Sequence, residues 1–116
     1  MKKIICFDID GVICKTKKNY YSKSKPNKKL IKYINSLFEK GYYIKIFTAR
    51  YMGRFNDDSK KVKVYGFKKI EHQLDKWKLK YNELIIGKPS YDFFIDDKNL
   101  GHPTDVIKNL DKILKK

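Results

Sequence analysis

The hydrophobic period of this chain switches between two and about three and a half, and each short strand-like run ends on residues that can do chemistry. Lys3 to Phe7 is a brief apolar run that stops at Asp8, which predicts a buried strand. Between Asn27 and Lys40, the residues Leu30, Ile31, Ile34, Leu37 and Phe38 share one face of a helix. Asn27 is placed to cap its start, and Gly41 sits where a left-handed residue closes a helix. Tyr42 to Phe47 alternates and is rich in strand formers. Phe67, Ile70, Leu74 and Trp77 step by three or four and predict a second amphipathic helix. Glu83–Ile86 and Tyr91–Ile95 predict two further strands. Thr104 is expected to cap a last helix with Val106, Ile107, Leu110, Ile113 and Leu114 on one face.

The order β-α-β-α-β-β-α predicts the α/β class: a small Rossmann-like, three-layer α/β/α domain with a mainly parallel sheet. At 116 residues there is room for one domain, 1–116, and no second lobe. A 41% hydrophobic and 15% aromatic content supplies a core, which excludes a disordered basic tail. No apolar run approaches the ~20 residues of a membrane span, and the run after Met1-Lys2-Lys3 is too short for a secretory signal. Cys6 and Cys14 form no CxxC pair, so a reducing cytoplasm is the expected location, with Cys6 a small buried hydrophobe.

In sheets of this kind ligands bind at the carboxyl ends of the strands. There the sequence places Asp8-Ile9-Asp10-Gly11, Thr48-Ala49-Arg50, Gly87-Lys88-Pro89 and Asp96-Asp97, one cluster after each predicted strand. Asp8, Asp10, Asp96 and Asp97 converging on one edge would repel unless a cation joined them. Oxygen ligands without a His or thiolate cluster select a hard ion, Mg²⁺ being the best match. Mg²⁺, Lys88 and the Thr48 hydroxyl together suit a phosphate. Asp8 and Asp10 lie two apart on an extended chain and project to the same side. Asp8 is then the candidate nucleophile and Asp10 the candidate acid and base.

Taken together, Phe7-Asp8-Ile9-Asp10-Gly11-Val12, Phe47-Thr48-Ala49-Arg50, Gly87-Lys88-Pro89 and Ile95-Asp96-Asp97-Lys98 resemble, in order, the four motifs of the haloacid dehalogenase (HAD) superfamily phosphatases. The resemblance implies that Asp8 becomes an aspartyl-phosphate and that Asp10 is the general acid/base whose backbone carbonyl also ligates Mg²⁺. It implies further that Asp96 and Asp97 hold the metal, Asp96 more closely, and that Thr48 and Lys88 bind the phosphoryl group. Ala49 and Arg50 complete the substrate-binding set, with Arg50, and Arg54 beyond it, reaching the substrate past the phosphate.

Members of that superfamily usually carry an inserted cap domain. Here Asp10 to Asn27 has room only for a flap, about 11–26, and Arg50 to Phe67 only for a loop, so a capless enzyme is expected. Such a site is open to large substrates or is closed by a second copy in a homo-oligomer. The Thr-Ala-Arg motif, Gln73-Leu74-x-x-Trp77 and the run Leu84 to Asp92 are most similar to the small capsule or polysaccharide-biosynthesis phosphatases. That similarity implies a phosphorylated sugar as substrate.

The net charge of +15 leaves alternatives open. All the cations except Arg50 and Arg54 are lysines, a skew expected of an AT-rich genome, whereas nucleic-acid readers favour Arg. Yet Lys15, Lys17, Lys18, Lys23, Lys25, Lys28, Lys29 and Lys32 crowd a flap region free of carboxylates, with Tyr20 and Tyr21 among them. A solvated surface, a phosphate-attracting surround, a nucleic-acid end phosphatase or nucleotide phosphatase, and a non-enzymatic nucleic-acid binder each accommodate this pattern.

Overall fold

A computed structural model describes residues 2–101 and 105–115. Three strands, β1 (Ile4–Phe7), β4 (Tyr43–Thr48) and β5 (Glu83–Ile86), form a parallel sheet in the order β1-β4-β5. Ile5 pairs with Ile44, Phe7 with Ile46, and Thr48 with Ile86, so the carboxyl ends of all three strands meet at one edge. Helix α1 (Lys28–Glu39) joins β1 to β4, and α2 (Ser59–Lys76) joins β4 to β5. Both crossovers step the same way across the sheet, and right-handed connections of that kind place both helices on one face. The core lies there. Leu30, Ile34 and Leu37 of α1 and Ile70 and Leu74 of α2 cluster with Ile44 and Ile46 of β4. This is the small, Rossmann-like α/β architecture that the alternation of periods predicts.

The capping signals around α1 are realised. Asn27 accepts a hydrogen bond from the Leu30 amide, and Gly41 takes a left-handed φ of +93°. The final helix, α3 (Val106–Leu114), follows Asp105 and inserts Leu110 into the core. Thr104, its expected cap, and His102 lie outside the described residues.

Three expectations are corrected. Tyr91–Ile95 forms no strand: Phe93 and Ile95 are exposed, while Tyr91 and Phe94 pack against each other with ring centroids 5.0 Å apart and gather around the Lys88 ammonium. The aromatics that raise the strand propensity of this run are thus engaged by a cation instead of a ladder. Helix α2 begins eight residues before Phe67, at Ser59, where Asp58 accepts hydrogen bonds from the Lys60 and Lys61 amides. Its first turns bury only Val62 and Gly66, too sparse a stripe to register as a period. Gly66 is required because the Tyr51 ring lies where a Cβ would stand. Finally, Cys6 is exposed and Cys14 is the buried cysteine, since Cys6 alternates with Ile5 and Phe7 and faces away from the helices.

The flap leaves β1 through Gly11, at φ +84°, whose amide donates to the Cys14 carbonyl. Two-residue strands β2 (Cys14–Lys15) and β3 (Lys25–Pro26) pair antiparallel at its base, and a 3₁₀ turn, Tyr21–Lys23, sits toward its tip. Among the described residues no helix is long and apolar enough to cross a membrane.

Candidate active site

Asp8 and Asp10 follow β1 on either side of the fully buried Ile9, and both are half-buried. Asp8 Oδ1 accepts from the Ile9 amide at 2.7 Å, and Oδ2 lies 3.3 Å from Lys88 Nζ. Burial pushes the Asp8 carboxyl above its ordinary range, and the Lys88 ammonium opposes that push. Lys88 is itself buried. Burial works against its charge, but the Tyr91 hydroxyl and Asp8 more than offset this and raise its pKa. Its ammonium stands 4.5 Å from the Phe94 ring centroid and 5.2 Å from that of Tyr91, so cation–π attraction holds it where it meets Asp8.

Asp10 has a different partner. The Arg50 guanidinium, 2% exposed, donates from Nε to Oδ2 at 2.9 Å and from Nη2 to Oδ1 at 2.9 Å, a bidentate pair. Nη1 donates to Gln73 of α2, the Ser24 hydroxyl lies 3.4 Å from Nη2, and the Tyr21 ring centroid lies 4.8 Å from the guanidinium carbon. The Thr16 hydroxyl also donates to Asp10 and shares a 2.6 Å hydrogen bond with Ser24, while Gln73 Nε2 donates to the Tyr21 carbonyl at 2.7 Å. The flap is thereby tied to Asp10 and to α2 through one buried guanidinium.

Arg50, expected to reach substrate beyond the phosphate, donates instead to Asp10, Gln73 and the flap in this structure. Gln73, Thr16 and Ser24 are not legible as site residues in the sequence. Gln73 alone carries a signal, being an uncharged polar residue beside Leu74 on the apolar stripe of its helix, where a polar group needs a buried partner. Thr48 is fully buried. Its hydroxyl accepts from the Arg50 amide at 3.1 Å and keeps its own proton to donate, and its carbonyl accepts from the Lys88 amide at 3.3 Å. Ala49 is half-buried beside it. Arg54 is exposed and stacks on Tyr65.

The sheet therefore brings together three of the four clusters. Asp96 and Asp97 are exposed, and Asp96 caps its own turn by accepting from the Lys98 amide at 2.9 Å, which lowers its pKa. Among the described residues no three of Asp, Glu, His or Cys stand close enough to share an ion. Four carboxylate side chains therefore do not converge here: that of Asp10 is engaged by Arg50, and the 96–97 pair is apart from Asp8, so a Mg²⁺ ion would have to be held by Asp8, the Asp10 carbonyl and a 96–97 turn drawn toward them.

No family model and no curated protein matches the chain. Two solved structures share its fold. A crystal structure of an MCSG target from Vibrio cholerae superposes with a TM-score of 0.85 at 29% identity, covering 99% of this chain and 95% of that one. A chain in the structure of the Pnkp1/Rnl/Hen1 complex superposes with a TM-score of 0.54 at 16% identity, covering 84% of this chain and 31% of that one, a likeness of fold alone.

Proposed function

We propose that the protein is a phosphomonoester hydrolase of the HAD type, with Asp8 as nucleophile. The observation that carries this reading is the Asp8–Lys88 pair at the carboxyl ends of parallel strands, a half-buried carboxylate with an ammonium 3.3 Å away. The ammonium favours the ionised carboxylate and offsets the charge of an arriving phosphate. An Asp8 oxygen attacks phosphorus, the bond from phosphorus to the leaving oxygen breaks, and Asp10, entering the cycle protonated on one oxygen while the other stays on Arg50, supplies the proton that the leaving oxygen takes up. Water, giving a proton to Asp10, then attacks the aspartyl-phosphate and releases inorganic phosphate and free Asp8. The resemblance of the motifs to the HAD pattern supports this division of roles.

A phosphorylated sugar of surface-polysaccharide synthesis is the first substrate class to test. A phosphorylated nucleic-acid end is the second, favoured by a basic, ring-lined face beside the flap. Mg²⁺ is a separate proposal: loss of turnover in EDTA, its return with Mg²⁺ and its loss in Asp97→Asn would require the 96–97 turn to approach Asp8.

Asp8→Asn decides the main reading. Turnover of p-nitrophenyl phosphate should fall by about 10³-fold or more, as for loss of a nucleophile, with an unchanged circular dichroism spectrum. A variant that keeps its turnover refutes the assignment.

A further inference from the structure

The first three turns of α2 carry Lys60, Lys61, Lys63, Lys68 and Lys69, and no carboxylate occurs between Asp58 and Glu71. Cations in the first turn of a helix oppose its dipole, so Lys60 and Lys61 have the wrong sign for stability. They border a wide, open depression of about 660 Å³ together with Phe55, Val64, Tyr65 and Lys69. Val64 is 90% exposed there, an apolar side chain presented to solvent among lysines.

Arg54 links this depression to a second, of about 460 Å³, bordered by Asn19, Tyr21, Tyr51 and Gly53. Its guanidinium lies 4.7 Å from the Tyr65 ring centroid and donates to the Tyr65 hydroxyl at 2.8 Å, while Lys69 Nζ lies 3.9 Å from the same ring. The rings form a continuous line: Tyr21 to Tyr51 at 5.1 Å, Tyr51 to Tyr65 at 5.1 Å, and Tyr65 to Phe55 at 5.3 Å. Among the described residues neither Arg54 nor Lys60, Lys61 or Lys69 pairs with a carboxylate. Rings hold the charges of Arg54 and Lys69 in place, and all four cations are left for an outside anion. At its Tyr21 end the line reaches Arg50, and through it Asp10.

We infer that this trough binds single-stranded nucleic acid, with phosphates on Arg54, Lys60, Lys61 and Lys69 and bases against Phe55, Val64 and the exposed edges of the tyrosines. Unneutralised cations alone would suit any polyanion, but the exposed Val64, the partly exposed Phe55 and the ring edges beside them add the apolar contact that unpaired bases use. An acidic peptide has no use for that apolar surface. The inference concerns binding and stands whether or not Asp8 is a nucleophile.

The test is fluorescence anisotropy of a labelled 12-mer single strand on the intact protein, across salt concentrations. Lys60→Glu/Lys61→Glu/Lys69→Glu is compared with Lys40→Glu/Lys108→Glu/Lys112→Glu, an identical charge change at exposed positions elsewhere. The trough variant should bind at least tenfold more weakly, with the log–log salt slope shallower by roughly 0.7 for each phosphate no longer neutralised. The control should weaken less than threefold. Phe55→Ala should weaken binding with the salt slope unchanged. Asp8→Asn should bind like the native protein, and the trough variant should hydrolyse p-nitrophenyl phosphate at the native rate, which separates this inference from the catalytic reading. Equal weakening in the two triple variants, or displacement of the strand by poly-glutamate as readily as by unlabelled oligonucleotide, overturns it.

Discussion

Replacing Arg50 tests whether one buried side chain sets both the fold of the flap and the aim of Asp10. Arg50→Met keeps the apolar stem but removes the bidentate pair, the hydrogen bond to Gln73 and the approach to Ser24. Asp10, with its side chain 27% exposed, is left as a partly buried carboxylate without its cation. Removing one partner of such a pair costs about 3–5 kcal/mol when burial is complete, so about 3 kcal/mol is expected here. For a domain of this size that corresponds to a fall in Tm of roughly 12 °C. Arg50→Lys keeps the charge but not the planar fork, and the loss of two hydrogen bonds worth about 1 kcal/mol each gives roughly 8 °C. In a double-mutant cycle with Asp10→Asn, stability should show a coupling of about 2 kcal/mol. The kinetic signature is sharper. If Arg50 aims Asp10, hydrolysis of an alkyl phosphate, whose leaving oxygen needs a proton, falls in Arg50→Lys by about 10²-fold. Hydrolysis of p-nitrophenyl phosphate, whose leaving group needs none, changes much less. An unchanged Tm in Arg50→Met, or equal losses on both substrates, would show that the guanidinium does not position Asp10.

Two other regions give separate tests. Gly66→Ala gains about 1 kcal/mol of helix propensity but drives a methyl into the Tyr51 ring; net destabilisation by about 1–2 kcal/mol is expected, reversed to a gain in the Tyr51→Ala background, with urea melts as the readout. A thiol reagent should label Cys6 in the native protein and Cys14 only on unfolding. Although a reagent can reach it, the protein around Cys6 partly desolvates its thiol and raises its pKa even though Lys88 and Lys45 pull it down, so labelling should be slow near neutral pH and accelerate as pH rises; a native protein that titrates two thiols at once would contradict the buried site of Cys14.

What can be read from the sequence is governed by how local each signal is. The strands β1, β4 and β5, the cap at Asn27 and the close of α1 at Gly41 rest on neighbouring residues, and they are where the sequence puts them. The meeting of Asp8, Thr48 and Lys88 follows from parallel order once those strands exist. The failures involve partners distant in sequence. Tyr91–Ile95 has the composition of a strand, but its rings are taken by Lys88, itself held by a carboxylate 80 residues earlier. The start of α2 is specified by Asp58 and by room for Tyr51, neither of which produces a hydrophobic period. Arg50 reads as available for substrate because nothing in Thr48-Ala49-Arg50 reveals that Gln73, 23 residues on, and the flap will enclose it.

The distribution of arginine sharpens the meaning of the charge. In a chain where every other cation is lysine, the two guanidiniums occupy the two positions where a planar group does what an ammonium does less well. Arg50 grips both oxygens of Asp10 and lies against Tyr21; Arg54 lies against Tyr65 and donates to its hydroxyl. The two are joined by the rings of Tyr21, Tyr51 and Tyr65. The first is neutralised inside the candidate active site, and the second stands exposed at the rim of the trough without a carboxylate among the described residues. A compositional bias toward lysine accounts for much of +15, but it does not account for two arginines at opposite ends of one line of aromatic rings. That placement puts both guanidiniums on one continuous face, with Arg50 holding Asp10 at one end and Arg54 left exposed at the other, which is the arrangement the proposed trough and the proposed active site would share.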